Sequence, residues 1–402
     1  MPGLDIGPFT KEEAFRAIER QTGRMIRERD DNPITPAPCF HGGAFFEAIG
    51  VGFDDLTRRH RIINADVLDA WFPPAPGVIA ALGQDLEWLI RTSPPTDSSG
   101  LGQAISRARG ISQECILPTA GSSDAIFLAF RLWLMKSSRV LLLDPTYGEY
   151  AHVLERVIGC EVQRFRLTRE DGYSVNVAKL QEALSERYDL AVLVNPNSPT
   201  GRHVSRGELA SLLSGAPLTT RFWIDETHVE YAGANESLET FAAASRNVVI
   251  CKSMSKTYAL SGVRAAYLCA APSIMAELRS VTPPWSVSLP AQLAAVRALE
   301  DPQYYAECYA QTHALRNELT AHLIRSAPGI EIIPGVANFL LCHLPEEGPD
   351  AATVVRRCRE SGLFVRDAFC MGEALGRHAL RVAVKDHATN QRMIDILLAS
   401  LS

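Results

Sequence analysis

The stretch that decides the fold of this chain is CKSMSKTYALSGVR, residues 251–264. It begins at the end of an apolar run that is predicted to be a buried strand, and it carries Lys256 with Arg264 eight residues further on. Burial at a strand end would lower the pKa of the Lys256 amine and make it a nucleophile and a base. Ser253 and Arg264 are suited to bind a phosphate, the arginine through two parallel hydrogen bonds. A solvated lysine in a polar loop is the plainer alternative, because SxSK is short and common.

A second segment, ILPTAGSSDAIFLAF (116–130), is typical of an anion site. It predicts a short apolar strand, then Gly121, Ser122 and Ser123, and then a helix. Free backbone amides and hydroxyls at the start of a helix favour a phosphate group. Taken alone, the segment is explained more simply by a serine that caps the helix.

A third segment, RFWIDETHVEY (221–231), ends an apolar run with Asp225. A carboxylate there could pair with the pyridine nitrogen of pyridoxal 5′-phosphate (PLP) and keep that nitrogen protonated. The ring could then accept the electron pair left when a bond to a substrate's α-carbon breaks. A helix-capping aspartate is the alternative, and it is less plausible for a carboxylate 31 residues before Lys256.

Two further segments carry groups that suit the faces and edges of the same ring. LVNPNSPTGR (193–202) runs from a strand into a turn where Asn197 and Ser198 could reach a phenolic oxygen, although turn chemistry alone explains the residues equally well. DPTYGEY (144–150) places Tyr147 after another strand, where its ring could stack on the cofactor. An ordinary core or surface tyrosine is an equal alternative.

In this order and spacing, the five motifs resemble those of the class I/II aminotransferases, which have PLP fold type I. Within that family they look closest to histidinol-phosphate aminotransferases and threonine-phosphate decarboxylases. The likeness covers roughly residues 60–400. It implies an α/β fold with a large domain on a mainly parallel seven-stranded sheet, a small C-terminal α+β domain, and an active site at a homodimer interface.

The resemblance also assigns roles to residues. Lys256 becomes the Schiff-base lysine and proton shuttle, Asp225 the partner of the pyridinium, and Tyr147 the stacking ring. The phosphate falls to five residues of the two loops: Gly121, Ser122, Ser123, Ser253 and Arg264.

Toward the C-terminus, HALRVAVK (378–385) resembles the family's strand with the arginine that binds the substrate's α-carboxylate. That role falls on Arg381, whose planar guanidinium fits a carboxylate. Arg366, in LFVRD (363–367), is a weaker candidate for substrate binding.

Several positions depart from the family pattern. Ser198 stands where relatives have the second Asn of NNPTG, Ser93 where many have a Tyr, and His228 where they carry an aromatic residue. His228 is either a hydrogen-bonded structural residue or an added acid–base group near the ring, because histidine titrates near neutrality.

Two segments near the N-terminus also differ. VLDAWFPPAP (67–76) replaces the family's NEN-P-G-PSP and predicts a larger, more apolar substrate pocket lined by Trp71 and Phe72. HGGAFF (41–46) has no counterpart, and a buried turn is favoured there over a substrate lid. The changes predict a substrate that has drifted from histidinol phosphate.

The rest of the chain predicts a domain order of arm, large domain and small domain. Residues 1–60 are predicted to form an arm or part of the small domain, 75–285 the PLP-binding domain and 290–402 the small domain. Strands are expected at 115–118, 139–143, 190–195, 222–225, 248–251, 265–269, 331–343, 363–366 and 379–384. Helices are expected at 11–29, 291–325 and from about 389.

Composition and net charge limit the classes of partner that the chain is expected to bind. A net charge of −6 without a basic run argues against a nucleic-acid or anionic-membrane partner. Nine scattered cysteines without a CxxC pair indicate reduced thiols and no metal site. No apolar run approaches the ~20 residues of a membrane span, so the chain is expected in the cytoplasm.

The predicted function is an aminotransferase acting on an α-amino acid or a similar small molecule. The alternative is a PLP-dependent lyase, decarboxylase or β/γ-replacement enzyme, possibly ring-forming, of specialised metabolism. A non-catalytic regulator is the third reading, but an arm of about 60 residues is too short and too weakly basic for the DNA-binding domain that such proteins carry.

Overall fold

The computed structural model describes residues 42–402. The helix predicted at 11–29 and His41 lie outside these residues. In the described part, thirteen strands alternate with helices: β1 Ile63–Asn64, β2 Ile116–Thr119, β3 Arg139–Asp144, β4 Glu161–Arg166, β5 Leu190–Val194, β6 Arg221–Asp225, β7 Val248–Ser253, β8 Ala266–Cys269, β9 Glu331–Ile333, β10 Phe339–His343, β11 Leu363–Phe364, β12 Arg366–Asp367 and β13 Ala379–Ala383.

The α-helices of the same residues are α1 Ala44–Ile49, α2 Pro76–Arg91, α3 Ser99–Arg109, α4 Ser122–Trp133, α5 Gly148–Ala151, α6 Val177–Ala183, α7 Arg206–Gly215, α8 Val229–Ala232, α9 Glu239–Ala244, α10 Pro272–Arg279, α11 Leu289–Leu299, α12 Pro302–Ser326, α13 Ala351–Glu360 and α14 His387–Leu401. None of them is long and apolar enough to cross a membrane.

The predicted mainly parallel sheet of seven strands is confirmed, in the order β2-β8-β7-β6-β5-β3-β4. Only β8 runs antiparallel to its neighbours. The central strands β5, β6 and β7 are almost wholly buried, and most of their residues are apolar, as expected for a sheet covered by helices on both faces. Trp223 and Phe222, adjacent on β6, point into different core clusters on the two faces.

This topology gathers loops at one edge. Strands β3, β5, β6 and β7 are parallel, and β2 points the same way because two antiparallel pairings separate it from β7. All five therefore end at the same side of the sheet. Ligands of open α/β sheets bind in the crevice outside these carboxyl ends.

A second sheet of four antiparallel strands has the order β12-β13-β10-β9. The single strand predicted at 331–343 is wrong, because the chain turns after Ile333 and β9 and β10 form a hairpin. The strand predicted at 363–366 likewise splits, since β11 pairs with β1 and β12 with β13.

One further prediction is corrected, and one strand was missed. The long helix expected at 291–325 is two helices, because Asp301 caps a new helix that has Pro302 in its first turn. Strand β4 was not predicted. It lies at one edge of the seven-stranded sheet, and its residues are mostly half-buried, so its sequence shows no apolar run.

The predicted buried turn at HGGAFF is wrong for its described part. Residues Ala44–Ile49 form a helix in which the Phe46 ring is 42% exposed. Gly42 precedes it and packs closely on the side chains of Asp66 and Arg366.

The domain boundaries at 285–290 stay a prediction. Helix α11 packs on α2 and α3 beside the large sheet. Ile63, Ala65 and Leu68 belong to the apolar core of the four-stranded sheet.

Candidate active site

Lys256 lies in the loop that follows β7, one strand away from Asp225 at the end of β6. Its side chain is 19% exposed, and Nζ donates a hydrogen bond to Oδ1 of Asp69 at 2.9 Å. Burial lowers the pKa of Lys256, although Asp69 opposes the shift. A buried amine with a lowered pKa is a better nucleophile than a solvated lysine.

Gly121 and Arg264 meet at the start of helix α4. Gly121 has φ +99°, and a Cβ built on it would lie 2.6 Å from Nη2 of Arg264. Only glycine therefore leaves room for the guanidinium at this helix N-terminus. A cation and free backbone amides side by side form an anion site.

The three serines predicted to bind phosphate surround this point. Ser122 and Ser123 open α4, and Ser253 lies in register with Thr119 across β8. The Ser123 hydroxyl donates to Glu149 at 2.9 Å, and the Tyr147 hydroxyl donates to the same carboxylate at 2.8 Å. Loop β3–α5, which carries Tyr147, is thus tied to the start of α4.

Asp225 is 4% exposed and is held by two donors. The Tyr150 hydroxyl donates to Oδ2 at 2.7 Å, and the Thr227 amide donates to Oδ1 at 2.9 Å. Trp223 Nε1 in turn donates to the Tyr150 oxygen at 2.9 Å. Burial raises the pKa of Asp225, and within residues 42–402 no ion pair includes this carboxyl group. A cation such as a pyridinium would compensate the buried charge.

Asn197 and Ser198 were both predicted to reach a phenolic oxygen of the ring, but their side chains have different hydrogen-bond partners. The Asn197 amide donates to the Pro145 carbonyl and to Thr200 Oγ1, and its oxygen accepts from Thr146. These bonds use both amide hydrogens, one of them on the loop that follows β3. The Ser198 hydroxyl instead accepts a hydrogen bond from Arg381.

Arg381 is a buried cation on β13, 5% exposed. Nη1 donates to Ser198 Oγ at 3.0 Å, and Nη2 donates to the main-chain oxygen of Asp66 at 2.9 Å. Nε has no hydrogen-bond partner in the described part of the chain. Burial, and the nearby Arg366, lower the pKa of Arg381 to about 9. Arg366 itself pairs with the Asp66 carboxylate at 2.7 Å.

His228 is buried beside Phe339, with the ring centroids 5.5 Å apart. Both ring nitrogens lack a hydrogen-bond partner among the described residues. Burial, then the charges of Lys256 and Arg381, lower the pKa of His228 to about 3, so the ring is neutral. A neutral imidazole carries one donor and one acceptor, and here both point to a missing polar ligand.

The Trp71 indole donates to Thr312 on α12 at 2.8 Å, so its N–H is already bonded within the protein. Phe72, next to it, is 3% exposed and packs against Tyr305 and Tyr309. A pocket lined by these two rings stays a prediction.

Sequence reasoning missed Asp69, Tyr150 and Lys385. Lys385 Nζ donates to the main-chain oxygen of Asp69 at 3.3 Å, and burial lowers its pKa to about 8. All three stood in motifs already singled out: Asp69 is the one charged residue of VLDAWFPPAP, Tyr150 ends DPTYGEY, and Lys385 ends HALRVAVK. A lone charge in an apolar segment signals a buried partner.

These residues fit PLP. The space beside Gly121 suits its phosphate, the uncompensated Asp225 its ring nitrogen, Lys256 its aldehyde, and the unpartnered His228 a ring substituent. Within residues 42–402 no group of three or more His, Cys, Asp or Glu could hold a metal ion.

Comparisons with known proteins agree with this geometry. The model of the family described as aminotransferase class I and II matches residues 89–397. Histidinol-phosphate aminotransferase 2 of Carboxydothermus hydrogenoformans is 28% identical over 357 residues, 87% of this chain and 94% of the relative.

Solved structures share the fold. Histidinol-phosphate aminotransferase from Sinorhizobium meliloti in complex with PLP has a TM-score of 0.75 and 23% identity, covering 91% of this chain and 98% of that one. L-threonine-O-3-phosphate decarboxylase from Porphyromonas gingivalis has a TM-score of 0.72 and 24% identity, covering 84% and 99%.

Fold and site together define a PLP-dependent enzyme with the architecture of aspartate aminotransferase. The family match extends over most of the chain. This chain belongs to the class I and II aminotransferases; its cofactor is PLP, and it transfers an amino group from an amino-acid-like substrate.

Proposed function

We propose that the reaction takes place between Lys256, Asp225 and Arg381, and that the substrate is an α-amino acid or a close analogue whose anionic group binds Arg381. The observation that carries the proposal is the unpaired state of three buried polar groups that lie near Lys256. Asp225 has no cation, Arg381 has no anion, and His228 has no hydrogen-bond partner, each within the described residues.

Each of these groups is costly to bury alone, so their convergence supports a site built for a ligand. Bound PLP supplies an aldehyde for an amine and a ring that takes up the electron pair left when a bond at the substrate's α-carbon breaks. Gly121 and Arg264 hold the phosphate, and Asp225 holds the ring nitrogen protonated. His228 and Ser198 lie where they can bond the ring's phenolic oxygen or the substrate.

The amine of Lys256 moves the proton. With PLP and substrate bound, Nζ would take a proton from the substrate's α-carbon and later return it to a neighbouring carbon. Arg381 orients the α-carboxylate by two parallel hydrogen bonds. Because Arg381 donates a hydrogen bond to Ser198, a carboxylate bound by Arg381 would also lie beside the loop that carries Ser198.

The relatives' name makes histidinol phosphate the first substrate to test, although the changed residues Trp71, Ser198 and His228 favour a different side chain. The PLP-loaded protein is mixed with a panel of amino acids and L-histidinol phosphate, followed by absorbance spectroscopy and mass spectrometry. Transamination leaves the aminated cofactor and a keto acid from an amino acid, or the corresponding ketone from L-histidinol phosphate. Release of CO₂ with return of the starting spectrum would replace the proposal with a decarboxylase.

The assembly that the family implies is a homodimer, and an exposed apolar stripe on helix α2 supports it. Ile79 and Ile90 are 55% and 71% exposed, and with Leu86 they share one helix face. Light scattering should report a dimer, and the double variant Ile79→Asp/Ile90→Asp should weaken it. A monomeric wild type at micromolar concentration would contradict a dimer.

A cytoplasmic location is proposed because the cysteines of the described part are free thiols. Seven cysteines of the described part are buried and unoxidised: Cys115, Cys160, Cys251, Cys269, Cys308, Cys342 and Cys358. Such thiols persist in a reducing compartment. Cell fractionation with an antibody to the chain tests this.

A further inference from the structure

We propose that Asp69 is a positioning residue for Lys256, holding its protonated amine whenever that amine is not bonded to the cofactor. The inference rests on the proposed function in one respect, since it takes Lys256 as the amine that bonds PLP. It assigns a role to a segment, residues 67–76, that departs from the family's sequence.

The contact itself is direct. Asp69 Oδ1 lies 2.9 Å from Lys256 Nζ, within the range of a charge-assisted hydrogen bond. The two residues are 187 positions apart in the sequence, so the bond joins the N-terminal segment to the loop after β7. The Asp69 side chain is 35% exposed and that of Lys256 19%, which leaves the pair accessible to a small ligand.

The charges around Lys256 explain why a carboxylate is needed there. Arg381 approaches from β13, Arg264 from the end of its own loop and Lys385 from the segment after β13, while His228, beyond β6, is neutral. Burial and these cations all disfavour an ammonium group at Nζ. Asp69 provides the opposing negative charge.

The carboxylate is suited to stay ionised. Burial opposes its ionisation, but Lys256 and the Ser261 hydroxyl outweigh burial and lower the pKa of Asp69. Asp69 therefore does not take the proton from Lys256 near neutral pH. It stabilises the ammonium in place.

The charge of Asp69 matters most at the step in which Nζ takes up a proton. When Nζ takes the α-proton, a C–H bond breaks and an N–H bond forms at Nζ, and the electron pair of the C–H bond would pass to the ring that PLP supplies. Nζ then carries a positive charge among Arg381, Arg264 and Lys385. A carboxylate at hydrogen-bond distance lowers the energy of that state, and it fixes Nζ for delivering the proton to the next carbon.

The test uses Asp69→Asn, which keeps the size of the side chain and removes its charge. In the apoprotein, the reactivity of the Lys256 amine toward acetic anhydride is measured across pH by mass spectrometry of peptides. Loss of the carboxylate should move the reactivity midpoint down by about one to three pH units, the usual effect of a charge at this range. Asp395→Asn, which removes an exposed carboxylate on α14, should leave the midpoint unchanged.

Asp69→Glu should restore the midpoint, and Asp69→Ser should reproduce the shift if Asn folds poorly. In the loaded enzyme, Asp69→Asn should lower kcat more than tenfold with less than a threefold change in KM. A midpoint unmoved in both neutral variants would overturn the role of Asp69. If the cofactor were instead bonded to another lysine, the proposed function would fail separately, and peptide mapping distinguishes the two failures.

Discussion

Arg381 on β13 donates a hydrogen bond to Ser198 in the loop after β5, with Nη1 and Oγ 3.0 Å apart. The bond links the four-stranded sheet to the seven-stranded sheet through the two groups that stand where a substrate's carboxylate would bind. A hydroxyl is a neutral partner for a buried guanidinium, so the charge of Arg381 is left for a ligand. We therefore expect the loop after β5 and the strand β13 to act together in substrate binding.

Replacing Arg381 with alanine should chiefly raise KM for amino-acid substrates. The loss of charged hydrogen bonds is worth about 2–4 kcal/mol, which corresponds to roughly 30- to 1,000-fold. Steady-state kinetics measures it, with Arg377→Ala, an exposed arginine before the same strand, as the control. An unchanged KM for Arg381→Ala would mean that the carboxylate binds elsewhere.

Replacing Gly121 with alanine should weaken PLP binding. The new Cβ would lie 2.6 Å from Arg264 Nη2, so the guanidinium has to leave the phosphate position. One lost charged hydrogen bond of about 1.5–3 kcal/mol gives roughly a 10- to 150-fold higher Kd for PLP. Equilibrium titration of the apoprotein measures it.

Gly110→Ala is the matched control for this change. Gly110 also has a positive φ, +65°, but a Cβ there meets no atom within 4 Å. Both variants should lose stability from backbone strain, and only Gly121→Ala should lose PLP affinity. Equal affinities in the two variants would remove Gly121 from the phosphate site.

Replacing Asp225 with asparagine should leave PLP bound but slow turnover by about a thousandfold, because the ring nitrogen loses the charge that keeps it protonated. Tyr150→Phe keeps the carboxylate and removes one donor to it, so it should cost only about tenfold. Single-turnover rates measure both. A change below tenfold in Asp225→Asn would rule out its pairing with the ring.

A buried ionic network behind β7 gives the fold a pH dependence of its own. Lys252 lies 2.8 Å from Glu230 and 3.5 Å from Glu226, and Arg109 contacts Glu230 at 3.2 Å and Glu239 at 3.6 Å. Three carboxyl groups thus share two cations. Burial raises the pKa of Glu226 to about 7, which removes the surplus negative charge below that pH.

Glu226→Gln should therefore flatten the pH dependence of stability. Between about 4.5, the ordinary pKa of a glutamate, and about 7, the folded wild type binds a proton that the unfolded chain does not, so the free energy of unfolding falls as pH rises. Above about 7 this contribution is constant. Denaturant unfolding across pH measures the slope, at most about 1.4 kcal/mol per pH unit. An identical slope in wild type and Glu226→Gln, with exposed Glu360→Gln as control, would contradict the raised pKa.

The parts of the fold that sequence predicted well are those with local signals. Continuous apolar runs marked β5, β6 and β7, and motifs at their ends placed Lys256 and Asp225 in neighbouring loops. Strand β4 was not predicted because an edge strand buries few of its side chains and so shows no apolar run. Pro302 marks the break between the two helices in the sequence. The helical periodicity on both sides of it nevertheless favoured one continuous helix.

Contacts between distant segments were beyond sequence reasoning. The bond from Lys256 to Asp69 and that from Arg381 to Ser198 join residues 187 and 183 positions apart. No local pattern reports such a distance. Side-chain competition was equally hidden: Asn197 was a candidate ring contact by residue type, but its amide hydrogens are bonded to Pro145 and Thr200.

The most direct measurement is borohydride reduction of the PLP-loaded protein, followed by peptide mapping of the labelled lysine. The chain has only six lysines, and Lys385 lies beside Asp69 with a pKa lowered to about 8, so it is a real competitor for the aldehyde. We expect the label on Lys256 alone, and none on the folded Lys256→Ala variant. A label on Lys385 or Lys252, or full turnover by Lys256→Ala, would contradict the assignment of the site.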